Sequence, residues 1–381
     1  MTSIVCAVIS ARILSSQKAY CALESRKSRY GTIDGLRGYL AIFVFIHHFF
    51  VTLIWKSSGE WLPPESVFAD NLGRVPVAVF FLITGFLFTK KICKSLTLRN
   101  WSCLYESRFF RIYPLYLYVL AVMSVYSILQ VNTQLEFSAI VKEYVRYLAF
   151  RGEILLGNPD AKNIIARVDW TLIYEWIFYC SLPCLYWLHR MSSKVALELA
   201  LIPALFFNLY PAVIPFLGIN SGHLIYFIVG GIFAKHAEKF KRNQRTHYSR
   251  SFLALITLAL AMFCPHSIKL VPVLLVSVFF YFILCGENLF GMLSRKESLV
   301  LGEISYSIYL THGIVLYFFY TTPGFIKFDS IMRDFNLPLL TILVVISSSI
   351  TFVCIESPGI RLGRKYYLTH VLDKILPGKS L

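Results

Sequence analysis

Long apolar stretches separated by short polar segments run along the whole chain, without the period-two alternation of a half-buried β-strand. A helix needs about 20 apolar residues to cross the hydrocarbon core of a bilayer. The pattern therefore predicts an all-α, polytopic membrane protein with about ten transmembrane helices. The predicted spans are 39–55, 75–89, 112–129, 170–188, 195–217, 223–234, 252–264, 270–285, 304–320 and 337–355, of which the sixth and seventh are short.

The basic residues indicate how these spans would be oriented. With the N-terminus placed in the cytoplasm, 26 of the 37 Lys and Arg residues fall in cytoplasmic segments and 10 in external loops. This bias follows the positive-inside rule and predicts that both termini are cytoplasmic. We expect a cytoplasmic extension at 1–30, an integral membrane domain at 31–360 and a basic cytoplasmic tail at 361–381.

Composition supports this class of protein. Hydrophobic residues make up 57% of the 381 and charged residues only 15%, whereas soluble domains carry about 25% charged residues. The low charge argues against a soluble enzyme and against a disordered chain. Because cytoplasmic loops account for the net charge of +16, no nucleic-acid partner is needed. The nine cysteines lie scattered in apolar segments and predict neither a metal site nor a disulfide.

Titratable residues in the first predicted span are the strongest candidates for chemistry, because charge inside a membrane is costly. The segment Asp34-Gly-Leu-Arg37-Gly precedes the pair His47 and His48. Arg37 and His48 are 11 residues apart, so on a helix they share a face and lie about 16 Å apart, whereas His47 points about 100° away. A histidine here predicts either a general base or a structural hydrogen bond between helices.

Six short motifs occur in order along the chain and together resemble those of membrane-bound acyltransferase family 3, which includes the O-antigen and exopolysaccharide O-acetylases. Thr84 stands where the family more often has Ser, Thr311 where Trp is common, and Ser357 where Arg is frequent. The motifs are Asp34-Gly-Leu-Arg37-Gly with His48, Phe80-Phe-Leu-Ile-Thr84-Gly85-Phe-Leu87, Arg108-Phe-Phe-Arg111-Ile-Tyr-Pro114, Trp170-Thr-Leu-Ile-Tyr-Glu175, Leu301-Gly-Glu-Ile-Ser305-Tyr-Ser-Ile-Tyr309-Leu-Thr311-His312 and Glu356-Ser-Pro358.

The resemblance implies transfer of an acyl group, usually acetyl from cytoplasmic acetyl-CoA, to a sugar hydroxyl of an envelope or secreted polysaccharide at a bacterial inner membrane. Arg37, Arg108 and Arg111 would bind the phosphates of coenzyme A, for which guanidinium groups are well suited. Arg37 would also belong to the catalytic group. His48 would be the general base, or would carry the acyl group covalently. Glu175 would be its acidic partner, or would bind sugar near the external opening.

Four further residues are weaker candidates for lining the substrate site: Asp34, Trp170, Tyr309 and His312. Asp34 alternatively pairs with Arg37 or acts as a helix N-terminal acid, and His312 is alternatively structural. The expected partners are acyl-CoA, a polysaccharide or glycolipid acceptor and membrane lipid. Two other functions remain open, namely an acyltransferase with a small-molecule or lipid-linked acceptor and a sugar transporter or flippase, although the two similar halves typical of transporters are not apparent.

Overall fold

The structure is a computed structural model. It describes residues 2–17, 20, 31–92, 98–131, 135–191, 196–210, 213–214, 219–240, 248–265, 267, 269–322 and 330–375.

Within these residues the chain is folded mainly into α-helices, as predicted. One short antiparallel ladder pairs β1 (Val213–Ile214) with β2 (Ile219–Asn220), and a π-helical segment, Phe352–Glu356, joins the last two helices. The helices are α1 (Thr2–Ser15), α2 (Gly31–Ser58), α3 (Val67–Ile92), α4 (Leu98–Gln130), α5 (Phe137–Leu148), α6 (Ala161–Ile164), α7 (Trp170–Met191), α8 (Ala196–Leu209), α9 (Leu224–Lys235), α10 (Tyr248–Met262), α11 (Leu270–Leu284), α12 (Lys296–Glu303), α13 (Ser305–Thr321), α14 (Ser330–Thr351) and α15 (Ser357–Ile375).

The number of predicted spans is wrong. Among the described residues four helices are long and apolar enough to cross a membrane, and a fifth span results if α12 and α13, which are bent by 68°, are counted together. Helices α8 to α11 have only 12 to 15 residues, or about 18–23 Å, which is less than the roughly 30 Å hydrocarbon core. The four long spans are Gly31–Ser58, Val67–Ile92, Trp101–Gln130 and Asn336–Tyr366.

The N-terminal residues pack against the helical bundle. Ser3 and Thr341 of α14 share a hydrogen bond of 2.6 Å between their hydroxyl oxygens, and the hydroxyl oxygens of Tyr20 and Ser349 lie 2.8 Å apart. Within 1–30, residues 1, 18–19 and 21–30 lie outside the described residues, as do residues 376–381 of the predicted basic tail. Residues 361–375 continue α15 as a helix. The cytoplasmic position of both termini stays a prediction.

Glycines in two of the sequence motifs allow close contact between backbones. A side chain at Gly35 would meet the carbonyl group of Leu293, and a side chain at Gly302 would meet the carbonyl group of Asp34. The start of α2 is therefore held against the turn before α12 and against α12 itself. This contact fixes the position of Arg37, which lies between the two motif glycines of α2.

A second close contact joins α3 to α9. A side chain at Gly85 would meet the backbone of Phe227, and a side chain at Gly230 would meet the backbone of Leu82. Small residues at a helix crossing let two membrane helices approach closely and pack along their length. The crossing holds the α3 residues around Phe80 in place, and these residues line the cavities described below.

Replacement of Gly302 by Ala is expected to destabilise the protein, because the new methyl group would displace the backbone at Asp34. Overpacking of this kind costs about 1–3 kcal/mol of unfolding free energy. We expect a fall of several degrees in the melting temperature of the protein in detergent. Gly31→Ala is the matched control, since no heavy atom of the described residues lies within 4 Å of a side chain added there. Equal melting temperatures for the two variants would contradict the prediction.

Candidate active site

Three cavities among the described residues follow one another along α2 and share parts of their walls. The first, of about 350 Å³, contains Arg37, Arg108 and Arg111, and is named the basic cavity. The second, of about 60 Å³, is named the neck. The third, also of about 350 Å³, contains His47 and His48, and is named the histidine cavity.

Shared wall residues connect the three cavities. Val77 and Tyr309 line both the neck and the histidine cavity. The residues common to the basic cavity and the neck are Arg37, Phe80, Glu175 and Tyr306. A series of cavities therefore extends through the bundle from the arginine cluster to the histidine pair, and it narrows at the neck.

The charges of the basic cavity favour an anionic ligand. Lys91 adds a fourth cation to the three arginines, while Asp34 and Glu175 are the acidic residues of its wall. The Arg108 guanidinium lies over the ring of Phe88, 5.1 Å from its centroid. Its Nε is buried and has no hydrogen-bond partner among the described residues. A buried guanidinium N–H without a partner is costly in the free protein and is suited to a phosphate oxygen.

Glu175 lines the basic cavity and the neck, whereas His48 lines the histidine cavity. The Tyr179 hydroxyl donates a hydrogen bond of 2.8 Å to Oε2 of Glu175. Trp170, five residues earlier on α7, reaches the histidine cavity instead. Five residues along a helix correspond to about 7.5 Å and a rotation of about 140°. Glu175 and His48, which were expected to pair, therefore line different cavities.

His48 is instead paired with His312 of α13. Nδ1 of His48 lies 3.1 Å from Nε2 of His312 and 3.1 Å from the carbonyl oxygen of Val44. Nδ1 of His312 lies 2.9 Å from the carbonyl oxygen of Ile308, and the His312 side chain is fully buried. The two rings have centroids 5.0 Å apart. Two histidines that are 264 residues apart in sequence thus meet beside one cavity, which His48 lines and His312, contrary to expectation, does not.

The rest of the histidine cavity combines aromatic rings with polar groups. Trp170 and His223 have ring centroids 5.4 Å apart, and Trp61 lies 6.5 Å from the His48 ring. Asp70 Oδ2 accepts a hydrogen bond of 2.9 Å from Arg74 Nε. Aromatic walls with a few placed polar groups are typical of small-molecule binding sites.

Sequence reasoning missed several residues that line these cavities. Trp61 lies in a loop, and Asp70 and Arg74 lie four residues apart near the start of α3, before the apolar part that was predicted as a span. His223 ends a short turn between β2 and α9. The i,i+4 spacing of Asp70 and Arg74 is a usable signal of an ion pair, but no pattern near Trp61 or His223 indicates a site. The positions of Trp61 and His223 in the cavity wall follow only from the fold.

The remaining candidates have defined places. Tyr309 separates the neck from the histidine cavity, and its hydroxyl oxygen lies 2.8 Å from Oγ1 of Thr171 and donates to the carbonyl of Val168 at 3.2 Å. Asp34 lines the basic cavity. No group of three or more His, Cys, Asp or Glu side chains that could hold a metal ion occurs in the described parts of the chain.

Comparison with known proteins identifies the family to which this chain belongs. A family model described as an acyltransferase domain, that of acyltransferase family 3, matches residues 30–355. The chain belongs to this acyltransferase family. The match begins just before α2 and ends in the π-helical segment, so it includes every cavity-lining residue named above. The resemblance inferred from the six motifs is confirmed.

Two relatives of the acyltransferase are similar over most of its length. Nodulation protein 10 of Rhizobium leguminosarum bv. viciae is 26% identical over 323 residues, which are 77% of this chain and 85% of the relative. A protein of the Acidianus two-tailed virus, ORF330, is named as a candidate acetyltransferase and is 27% identical over 315 residues, which are 76% of this chain and 86% of the relative. No solved structure shows a significant match.

Proposed function

We propose that this acyltransferase is a membrane O-acetyltransferase that moves an acetyl group from acetyl-CoA to a sugar hydroxyl of an envelope or secreted polysaccharide. The observation that carries the proposal is the series of cavities along α2, with a basic cavity at one end and the histidine cavity at the other. Such a series allows a donor and an acceptor to enter from opposite ends and to react near the centre.

Acetyl-CoA suits the basic cavity and the neck. Its phosphates are highly anionic and would meet Arg37, Arg108 and Arg111, with the unpaired Nε of Arg108 as one donor. Its pantetheine arm is long, thin and uncharged, so it would extend through the neck and bring the thioester toward His48. Arginine rather than lysine favours phosphate binding, because the guanidinium fork donates two parallel hydrogen bonds.

A sugar acceptor suits the histidine cavity. The flat faces of Trp61 and Trp170 would cover the apolar C–H faces of a pyranose ring, while Asp70, Arg74 and His223 would meet its hydroxyl groups. The name of the viral relative supports acetyl as the transferred group. An envelope or secreted polysaccharide would reach this cavity from outside the cell if the basic end faces the cytoplasm.

In the proposed reaction His48 acts as a general base. It takes the proton from the acceptor hydroxyl while the hydroxyl oxygen attacks the carbonyl carbon of the thioester. The resulting tetrahedral intermediate collapses, the C–S bond breaks, and the coenzyme A thiolate receives the proton from the His48 imidazolium. The products are the sugar ester and free coenzyme A, and His48 is neutral again.

The expected orientation of the basic cavity supports a bacterial inner membrane as the site of action. Cytoplasmic metabolism supplies acetyl-CoA, and Arg108 and Arg111 fall on the side that the distribution of Lys and Arg assigns to the cytoplasm. Labelling of single introduced cysteines near each end of α2 with a membrane-impermeant reagent would test this orientation in intact cells.

The function is tested by supplying acetyl-labelled acetyl-CoA to the basic side of membrane vesicles. We expect label to enter saccharide while free thiol is released in equal amount. Thiol release without saccharide label would contradict the proposed acceptor. If acetyl-CoA does not bind, the proposed donor is wrong, and a transporter or flippase becomes the better account.

Replacement of Trp61 by Ala is expected to weaken acceptor binding. The lost stacking surface corresponds to about 1–2 kcal/mol, which is about tenfold in KM for the acceptor. The KM for acetyl-CoA should not change, because Trp61 lines the histidine cavity and not the basic cavity. Trp187→Ala is the matched control, since that side chain is 59% exposed on α7. Equal acceptor KM values for the two variants would contradict the assignment of Trp61.

A further inference from the structure

The hydrogen bonds around His48 and His312 determine which ring nitrogens carry protons. A carbonyl oxygen only accepts hydrogen bonds. Nδ1 of His312 lies 2.9 Å from the Ile308 carbonyl oxygen, so this nitrogen carries a proton, and Nε2 of neutral His312 is an acceptor. Nδ1 of His48 lies 3.1 Å from the Val44 carbonyl oxygen and 3.1 Å from Nε2 of His312. Both of these partners are acceptors, so Nδ1 of His48 carries a proton.

A consequence follows for the other nitrogen of His48. With the proton on Nδ1, Nε2 of neutral His48 holds a free lone pair. His48 lines the histidine cavity, whereas His312 is fully buried behind it. The nitrogen that is free to take a proton is therefore Nε2 of His48, the histidine that lines the cavity. The rings of Phe45 and Tyr309 also lie against the His312 ring, at centroid distances of 6.3 Å and 6.4 Å.

We propose that His312 is a positioning residue for His48, and that its Nε2 holds the His48 ring in the tautomer and orientation needed to take a proton from an acceptor hydroxyl. This inference rests on the proposed function. It assigns to a second, neutral histidine the task that a carboxylate performs in many acid–base pairs. Glu175 does not have this task, because it lines the basic cavity and the neck.

The arrangement also keeps the proton on the reacting residue. When His48 becomes an imidazolium, its Nδ1–H bond to His312 becomes charge-assisted and stronger. Transfer of the Nδ1 proton to His312 would give up its hydrogen bond to the Val44 carbonyl oxygen and would move the positive charge to the fully buried His312. The proton taken through Nε2 therefore stays on His48 until the departing thiolate removes it.

Two amide variants of His312 separate positioning from packing. Gln places an amide oxygen near the position of the Nε2 acceptor, whereas Asn places its amide near Nδ1 and does not reach His48. In the full-length protein in membranes, we expect His312→Gln to keep kcat within about tenfold of the unaltered protein and His312→Asn to lose about 100-fold, at the lower end of what general acid–base catalysis contributes. The KM for acetyl-CoA should be unchanged in both variants.

Thermal stability and acetyl-CoA binding are measured alongside. A purely structural role for His312 would make the loss of kcat follow the loss of stability and would give similar values for Gln and Asn. That outcome would overturn the proposal. Equal full activity of both amide variants would overturn it as well.

Nitrogen NMR of the ring-labelled full-length protein gives a readout that does not depend on activity. The His48 signals are identified by their loss in the His48→Ala variant. We expect a protonated Nδ1 and an unprotonated Nε2 for His48, with a coupling to Nε2 of His312 across the hydrogen bond. A His48 protonated on Nε2 would overturn the inference. Failure of the unaltered protein to transfer acetyl, with these NMR signals intact, would instead count against the proposed function.

Discussion

Replacement of His48 by Ala is expected to lower acetyl transfer by about 10²- to 10⁴-fold, which is the usual contribution of a general acid–base group. The KM for acetyl-CoA should change little, because the coenzyme A phosphates are proposed to bind in the basic cavity, about 16 Å away along α2. The measurement is the initial rate of label transfer from acetyl-CoA in membrane vesicles, with coenzyme A binding determined separately.

His47→Ala provides the comparison that decides between the two adjacent histidines. The carbonyl oxygen of Ala69 lies 2.9 Å from Nδ1 of His47, and the ring is packed against Gly73 on α3. It therefore faces a different side of α2, and among the described residues no imidazole hydrogen-bonds to it as His312 does to His48. We expect this variant to be affected far less than His48→Ala. If the order of the two effects is reversed, the base is His47, and the proposed role of His312 fails with it.

Replacement of Arg108 by Ala is expected to raise the KM for acetyl-CoA by about 10- to 100-fold. A hydrogen bond to a charged group contributes about 1.5–3 kcal/mol, and the buried Nε of Arg108 has no partner among the described residues. Arg108→Lys should give an intermediate value, since lysine keeps the charge but lacks the guanidinium fork. The kcat at saturating acetyl-CoA should fall much less than the ratio kcat/KM.

Arg364→Ala is the control for loss of a positive charge at the same end of the bundle. Arg364 is exposed on α15 and is not among the residues that line the basic cavity. Its replacement should leave the KM for acetyl-CoA unchanged at moderate ionic strength. An unchanged KM in Arg108→Ala, or an equal rise in both variants, would contradict specific phosphate binding by Arg108.

Features that depend on one helix could be predicted from the sequence. Arg37 and His48 lie on a shared face of α2 because helical periodicity alone determines that relation. In the structure Arg37 lines the basic cavity and the neck, and His48 lines the histidine cavity. The helical class and the family could be predicted for a similar reason: hydropathy and short motifs are local properties of the chain.

Features that depend on contacts between distant segments could not be predicted. His48 and His312 are 264 residues apart, and their hydrogen bond follows from how α2 packs against α13. The family resemblance suggested Glu175 as the acidic partner of His48, but Glu175 lines the basic cavity and the neck together with Arg37. The number of full spans was overestimated because an apolar run does not determine where a helix ends. The predicted span 195–217, for example, contains a helix that ends at Leu209.

The neck has a consequence for the energy balance of the cell. Two cavities of about 350 Å³ each, joined by a wide opening, would form a leak for ions and protons across the membrane. If the series of cavities crosses the membrane as proposed, the neck of about 60 Å³ limits that leak. In the proposed reaction the acetyl group crosses this barrier while the proton gradient that powers the cell is preserved.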